Sequence, residues 1–283
     1  MSTAKIRTLS EHASFGGVQG FYEHDSGVVG LPMRFGVYRP PQATGGPVPV
    51  LLCLAGLTCN EETFALKAGA QRHAAEHGLM LVTPDTSPRR TGLPGATDDW
   101  DFGEGAGFYL DATQGPWAGR FRMESWLVQE LLPLLRAHFP SQRDRLGVCG
   151  HSMGGHGALT LALRHPGRFR SVSAFAPICA PSEVPWGHKA FSRYLGDDRA
   201  AWAEWDACAL IARRTFPGTL LVDQGTDDKF LVEQLKPERL REVCAATGQA
   251  LELRMRDGYD HSYWTIASFI EEHLHHHARA LRG

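Results

Sequence analysis

The 283-residue sequence has no excess of either charge, no long apolar run and no paired-cysteine motif. Its 29 Lys and Arg stand against 31 Asp and Glu, a formal net charge of -2. Nucleic acid and anionic membranes as partners both call for a basic surface, so neither is expected. The longest apolar runs, such as Val48 to Ala55, are far short of the roughly 20 residues that span a bilayer. Met1 to Ser10 lacks the apolar stretch of a secretory signal. The six cysteines (Cys53, Cys59, Cys149, Cys179, Cys208, Cys244) form no CxxC pair and no metal-ligand spacing, so no metal is expected. They read as free thiols in a reducing cytoplasm. Disorder is excluded as well, because 43% of the residues are hydrophobic and net charge is small.

What the sequence does have is glycine. There are 31, about 11% against a usual 7%. A chain of this length buries roughly 75% of the surface its unfolded form exposes and needs no staples.

Apolar β-runs alternate with helical segments along the chain. Gln19 to His24, Arg34 to Arg39, Val50 to Leu54, Leu79 to Thr83, Arg145 to Cys149, Ser171 to Ala176, Thr219 to Val222 and Leu251 to Met255 read as strands. Thr63 to His77 (stopped at Gly78), Arg122 to His138 (kinked at Pro133), Met153 to Arg164, Glu233 to Thr247 and Ser262 to Ala278 read as helices. This alternation predicts one α/β domain over residues 1–283, a mostly parallel central sheet with helices on both faces. Thr86 to Gly119 and Ala180 to Asp206 are Gly-, Pro- and Trp-rich and weakly periodic. They are expected as excursions above the carboxyl ends of the strands, where ligands bind.

Gly150-His151-Ser152-Met153-Gly154 is a G-x-S-x-G match. A β-run enters it and a helical run leaves it, the setting of a nucleophile elbow. The competing reading is an ordinary strand-to-helix turn with Ser152 as N-cap. A serine nucleophile needs a base, and in this setting the chain order is serine, acid, histidine. His261, behind the strand Leu251 to Met255, is the expected base. His273, His275, His276 and His277 lie on the C-terminal helical run and read as a solvated face or helix-end charge. Asp228 is the expected acid, with Asp227 as the alternative, while Asp223 belongs to the strand end and Asp260 to the cap of the last helix. Two backbone N–H groups must face the oxyanion: Met153 after the nucleophile, and Leu57 after the strand Val50 to Leu54.

The sequence resembles the S-formylglutathione hydrolase family, also called esterase D, nearly end to end. The resemblance is carried by Leu54-Ala55-Gly56-Leu57-Thr58-Cys59, Pro84-Asp85-Thr86-Ser87-Pro88, Asp101-Phe102-Gly103 and Gly105-Ala106-Gly107-Phe108-Tyr109. It continues through Gly150 to Leu159, Phe175 to Cys179, Pro185-Trp186-Gly187, Asp223-Gln224-Gly225 and Gly258 to Tyr263. It implies an α/β-hydrolase fold and a serine thioesterase acting on S-formylglutathione in formaldehyde detoxification. It also implies a triad of Ser152, Asp228 and His261, oxyanion donors on Leu57 and Met153, and no metal or organic cofactor. Cys59 is set beside the site as a thiol open to modification, Trp100 and Trp186 line the substrate cleft, and the family is often homodimeric. Ala55 and His188 depart from the residues the family more often shows there. A short-chain carboxylesterase would use the same triad. A non-catalytic binding protein on this scaffold would be expected to have lost a triad member, and all three are present.

Overall fold

The computed structural model describes residues 5–282. The first four residues of the Met1 to Ser10 stretch, and residue 283, lie outside the described residues. Nine strands form one sheet: β1 (Ile6–Ser14), β2 (Gly17–Asp25), β3 (Pro32–Arg39), β4 (Val48–Leu54), β5 (Met80–Pro84), β6 (Ser141–His151), β7 (Ser171–Phe175), β8 (Leu220–Gly225) and β9 (Leu251–Arg256). Their order is β1-β2-β3-β5-β4-β6-β7-β8-β9. The segment β5-β4-β6-β7-β8-β9 is parallel throughout, and β1 to β3 extend it antiparallel.

The alternation of side chains along β4 shows that both faces are covered. Val50, Leu52 and Leu54 enter one buried cluster with Met153, Leu159 and Leu163 of the helix Met153–Arg164. Leu51 and Cys53 enter another with Ile266, Ile270 and Leu274 of the helix Tyr263–Leu281. Period-two strands and period-3.6 helices can share a core only in this layered way. Burial of each such aliphatic side chain contributes roughly 1.5–3 kcal/mol.

Several elements differ from expectation, each for a local reason. β1 carries no apolar alternation and is mostly exposed, with no residue fully buried; its pairing with β2 makes it a strand. Thr63 to His77 is two helices, Glu61–Lys67 and Ala70–His77, because Gly69 between them is left-handed (φ 67°). Gly78 caps the second at φ 69°. Around Pro133 the chain does not simply kink. Its missing N–H cannot bond the carbonyl four residues back, and the preceding turn Trp126–Leu131 widens into a π-helix. Glu233 to Thr247 divides at Lys236 (φ 49°), so that Pro237 opens the helix Pro237–Thr247. Ala180 to Asp206 is more ordered than its composition suggests and holds the helices Pro185–Leu195 and Arg199–Ala203.

The C-terminal histidines are the largest correction. His275 is exposed, but His273 and His277 are fully buried. Their spacing of four puts both on the face that meets the sheet. Ser171 and Ser173 of β7 point to that face, as the period of two requires. His277 Nδ1 lies 2.7 Å from Ser171 Oγ and its Nε2 2.8 Å from Ser173 Oγ. His273 Nδ1 lies 2.9 Å from Ser173 Oγ, and its Nε2 3.5 Å from Asp223 Oδ2. One proton order suits the three hydrogen bonds: the hydroxyl of Ser173 to His273, His277 Nε2–H to Ser173, and the hydroxyl of Ser171 to His277, with His273 Nε2 only facing Asp223. Polarity alone predicts a solvated face; the neutral imidazole of His277, with partners on both nitrogens, tolerates burial.

Burial holds the pKa of His273 down and that of His277 well below its ordinary 6.5. Below pH 6.5 the unfolded chain therefore takes up protons that the folded chain refuses. Stability from these groups is fully present above that pH and is lost as the pH falls, at up to about 1.4 kcal/mol per pH unit for each histidine. Urea midpoints at pH 8, 6.5 and 5 should show this slope, and His277→Gln, which cannot titrate, should make it shallower.

Candidate active site

The site is built where β6 meets the helix Met153–Arg164. Ser152 stands between them at φ 59° and ψ −119°, left-handed in φ, where a residue with a Cβ is strained. Its amide donates to the Phe175 carbonyl at 2.9 Å, and its carbonyl accepts from His156 at 3.0 Å and Ile178 at 3.3 Å. The turn is possible only because backbones approach closely on either side. A Cβ on Gly150 would lie 2.0 Å from the Gly154 carbonyl oxygen, and one on Gly154 would lie 2.1 Å from that of Leu54. Ser152 makes no side-chain cap to the helix, so its hydroxyl is not consumed in the way the N-cap reading supposes.

Asp228 and His261 come from the loops after β8 and β9. These loops interlock through Thr226 N–H to the Arg256 carbonyl and Asp227 N–H to the Tyr259 carbonyl, both at 3.0 Å. It is Asp228, not Asp227, that His261 meets, with Nδ1 2.5 Å from Oδ2. Asp227 is exposed. The Asp228 carboxylate is buried and fully used. Oδ2 also accepts from Gln224 Nε2 at 3.1 Å, and Oδ1 accepts from the Phe230 amide at 2.9 Å. An Nδ1–H donated to this carboxylate leaves Nε2 of His261 as the acceptor. The imidazole is wedged between the rings of His151, 4.6 Å away, and Phe230, 5.0 Å away. Burial, then the nearby His261, push the pKa of His151 well down. His151 stays neutral. Asp260 does not cap the last helix; Ser262 does, while the Asp260 carboxylate accepts from the Ser262 amide at 2.9 Å.

The loop after β4 reaches the same point. Gly56 lies against Ser152, since a Cβ there would stand 3.1 Å from Ser152 Cβ. Tyr109 Oη donates to the Ala55 carbonyl at 2.8 Å, and Thr58 (φ 67°) donates its amide to the Gly105 carbonyl at 2.9 Å. Leu57 sits between these two anchors. Met153 is the first residue of its helix, so its N–H precedes the intrahelical ladder.

The other expected residues divide. Trp186 is buried and packs at 4.7 Å, its ring tilted, against Phe230, which in turn packs on His261. Trp100 is 58% exposed and meets Trp186 edge-on at 5.8 Å. Cys59 is half-buried in the loop after β4, and burial pushes its thiol up. That is opposite to the depressed pKa of a reactive thiol. Its carbonyl accepts from Thr86 Oγ1 at 2.6 Å and Arg89 at 2.5 Å.

A family model described as "Putative esterase" matches residues 26–277. The S-formylglutathione hydrolase of Paracoccus denitrificans is 51% identical over 280 residues, 99% of both chains. The chain belongs to the S-formylglutathione hydrolase family. The mouse S-formylglutathione hydrolase is 48% identical over 282 residues, covering 98% of this chain and 99% of the mouse protein. The solved structure of the Agrobacterium tumefaciens S-formylglutathione hydrolase superposes with a TM-score of 0.95 at 46% identity, over 97% of this chain and 99% of that one.

Within this family frame, the two departures fall in different places. Ala55 is part of the loop after β4, buried, with its carbonyl held by Tyr109. His188 faces away, its Nε2 2.7 Å from the Ser182 carbonyl and its ring near Trp202. Gln224 and Phe230 were missed by the sequence reading. Gln224 follows the strand-end aspartate, and strand alternation could have pointed it toward the acid. Nothing in the sequence marks Phe230. Among the described residues no group of His, Cys, Asp and Glu could hold a metal ion, and no helix is long and apolar enough to cross a membrane.

Tyr109→Phe tests the anchor of the loop after β4. Deleting this buried donor should cost about 1–3 kcal/mol in a urea titration. It should also lower kcat on 4-nitrophenyl acetate by about tenfold through misplacement of the loop, with KM little changed.

Proposed function

We propose that the chain hydrolyses S-formylglutathione to glutathione and formate by a serine mechanism, with Ser152 as nucleophile, His261 as base and Asp228 as its orienting acid. The observation that carries the mechanism is the His261–Asp228 hydrogen bond beside a serine whose hydroxyl is not used in capping. The substrate rests on the likeness to the Paracoccus, mouse and Agrobacterium enzymes.

His261 Nε2 takes the hydroxyl proton as Ser152 Oγ attacks the formyl carbon. The developing oxyanion is stabilised by the amides of Leu57 and Met153, each worth about 3 kcal/mol in the transition state. The C–S bond then breaks, and the glutathione sulfur leaves with the proton held by His261. A thiol of ordinary pKa near 8.5 leaves with little acid assistance. Water, deprotonated by His261, attacks the formyl ester on Ser152, and formate departs as the serine is reprotonated. Formyl is the smallest acyl group, so a tight acyl pocket walled by Trp186 and Leu57 suits it. No cofactor enters these steps. The same reading puts the enzyme in the cytoplasm, consistent with its free cysteines, in formaldehyde detoxification, and allows a homodimer as in its family.

Purified enzyme should show a clearly higher kcat/KM for S-formylglutathione than for 4-nitrophenyl acetate; equal values would remove the substrate assignment. Ser152→Ala should lose at least ~10⁴-fold in kcat, and retained activity would remove the mechanism. Asp228→Asn should lose about 10⁴-fold, whereas Asp227→Asn should stay within about twofold, as for a solvated loop carboxylate.

A further inference from the structure

A cavity of about 510 Å³ opens beside the oxyanion loop. Its wall begins at Thr58, one residue beyond Leu57, and continues through Glu61, Arg34, Asp85, Arg89 and Arg90. Most of these charges are already matched. Arg34 Nε donates to Glu23 at 2.9 Å, and the Arg89 guanidinium donates to Asp85 at 2.7 Å. Two are not. Glu61, at the start of the helix Glu61–Lys67, is only 3% exposed, yet its carboxyl has no hydrogen bond or ion pair from any other described residue. Arg90 is exposed and left-handed (φ 53°), its amide fixed to the Glu104 carboxylate at 2.9 Å, and its guanidinium likewise has no partner among the described residues. The cavity thus holds one carboxyl that no side chain hydrogen-bonds, with Arg34 and Arg89 near it but engaged elsewhere, and one spare cation. A buried unpartnered carboxyl is costly unless a ligand completes it.

We propose that this cavity binds the α-amino-acid head of the γ-glutamyl arm of a glutathione thioester, with its ammonium on Glu61 and its carboxylate on Arg90. The proposal rests on the substrate reading above. A zwitterionic head matches both spare charges at once, whereas the glycine end of glutathione carries only a carboxylate and would leave Glu61 unmatched. The cavity adjoins the proposed acyl site along the chain: Thr58 directly follows the oxyanion residue Leu57, and Glu61 opens the next helix three residues further on. Burial and the neighbouring Asp85 raise the Glu61 pKa to about 7, so an arriving ammonium also settles its charge.

The test compares S-formylglutathione with N-acetyl-S-formylcysteinylglycine, which keeps the thioester and lacks the γ-glutamyl head. The wild-type enzyme should prefer the full substrate by at least tenfold in kcat/KM. Glu61→Gln and Arg90→Ala should each cut that preference at least fivefold, through KM and not kcat. Arg90 is exposed, so its variant is readable even where Glu61→Gln folds poorly. An unchanged preference in Arg90→Ala, or in a folded Glu61→Gln, overturns the proposal. So does a wild-type enzyme that hydrolyses both thioesters equally well. Failure of the wild type to hydrolyse S-formylglutathione at all would instead remove the substrate reading on which it rests.

Discussion

A serine held at φ 59° between a strand and a helix is the constraint on which the site depends. Such a conformation costs on the order of 1–3 kcal/mol and persists only where its surroundings over-determine it. Here both backbone groups of Ser152 are tied, the amide to the end of β7 and the carbonyl to His156 and Ile178. The turn cannot relax without breaking contacts to two other elements. The same crowding shapes the neighbouring loop. Because the helix starts hard against the Leu54 carbonyl, the loop that leaves β4 runs past Ser152, and Gly56 touches it. The strained serine and the approach of this loop thus share one steric cause.

The strand order supplies the rest. β6 carries the serine, while β8 and β9, side by side, carry the loops with Asp228 and His261. Residues 33 apart in sequence become neighbours because their loops leave adjacent parallel strands at the same edge. The interlocking amides of Thr226 and Asp227 then fix the two loops as one unit. An imidazole so held, with His151 and Phe230 against its faces, has little freedom to turn from its carboxylate. Orientation of the base comes from packing as much as from the hydrogen bond.

The parts of this design legible in the sequence are those written in local pattern. Apolar runs such as Val50 to Leu54 announce buried parallel strands, and G-x-S-x-G between a β-run and a helical run announces the elbow. Asp228 is preferred to Asp227 in the sequence, but Asp227 stays open as the alternative there, because the two differ in burial and burial depends on the fold. β1 was invisible for a related reason: its strand character lies in β2, not in its own side chains. The splits at Gly69 and Lys236 are single left-handed residues inside otherwise helical composition. Phe230, Glu61 and Arg90 have no motif at all, and Gln224 lies in one that does not announce its bond to the acid. Their significance comes from what the structure does or does not place next to them.

The buried polar groups beneath the sheet bear on the site through strand alternation. Asp223 and Gln224 are consecutive in β8, so their side chains point to opposite faces. Asp223 is pinned on the far side by Arg254 and Arg256 of β9, and His273 of the last helix lies 3.5 Å from it. The two arginines are held in turn by Glu272. Gln224 faces the other way and donates to Asp228. Charges that never meet a substrate therefore lock β8 to β9 and set the height at which Gln224 presents its amide. Removing that lock would leave Asp228 and His261 in place by sequence but free to shift at the strand ends. This gives the far face of the sheet a reason to spend buried charge and buried histidine where leucine would pack as well: it fixes the register of the two strands whose loops carry Asp228 and His261.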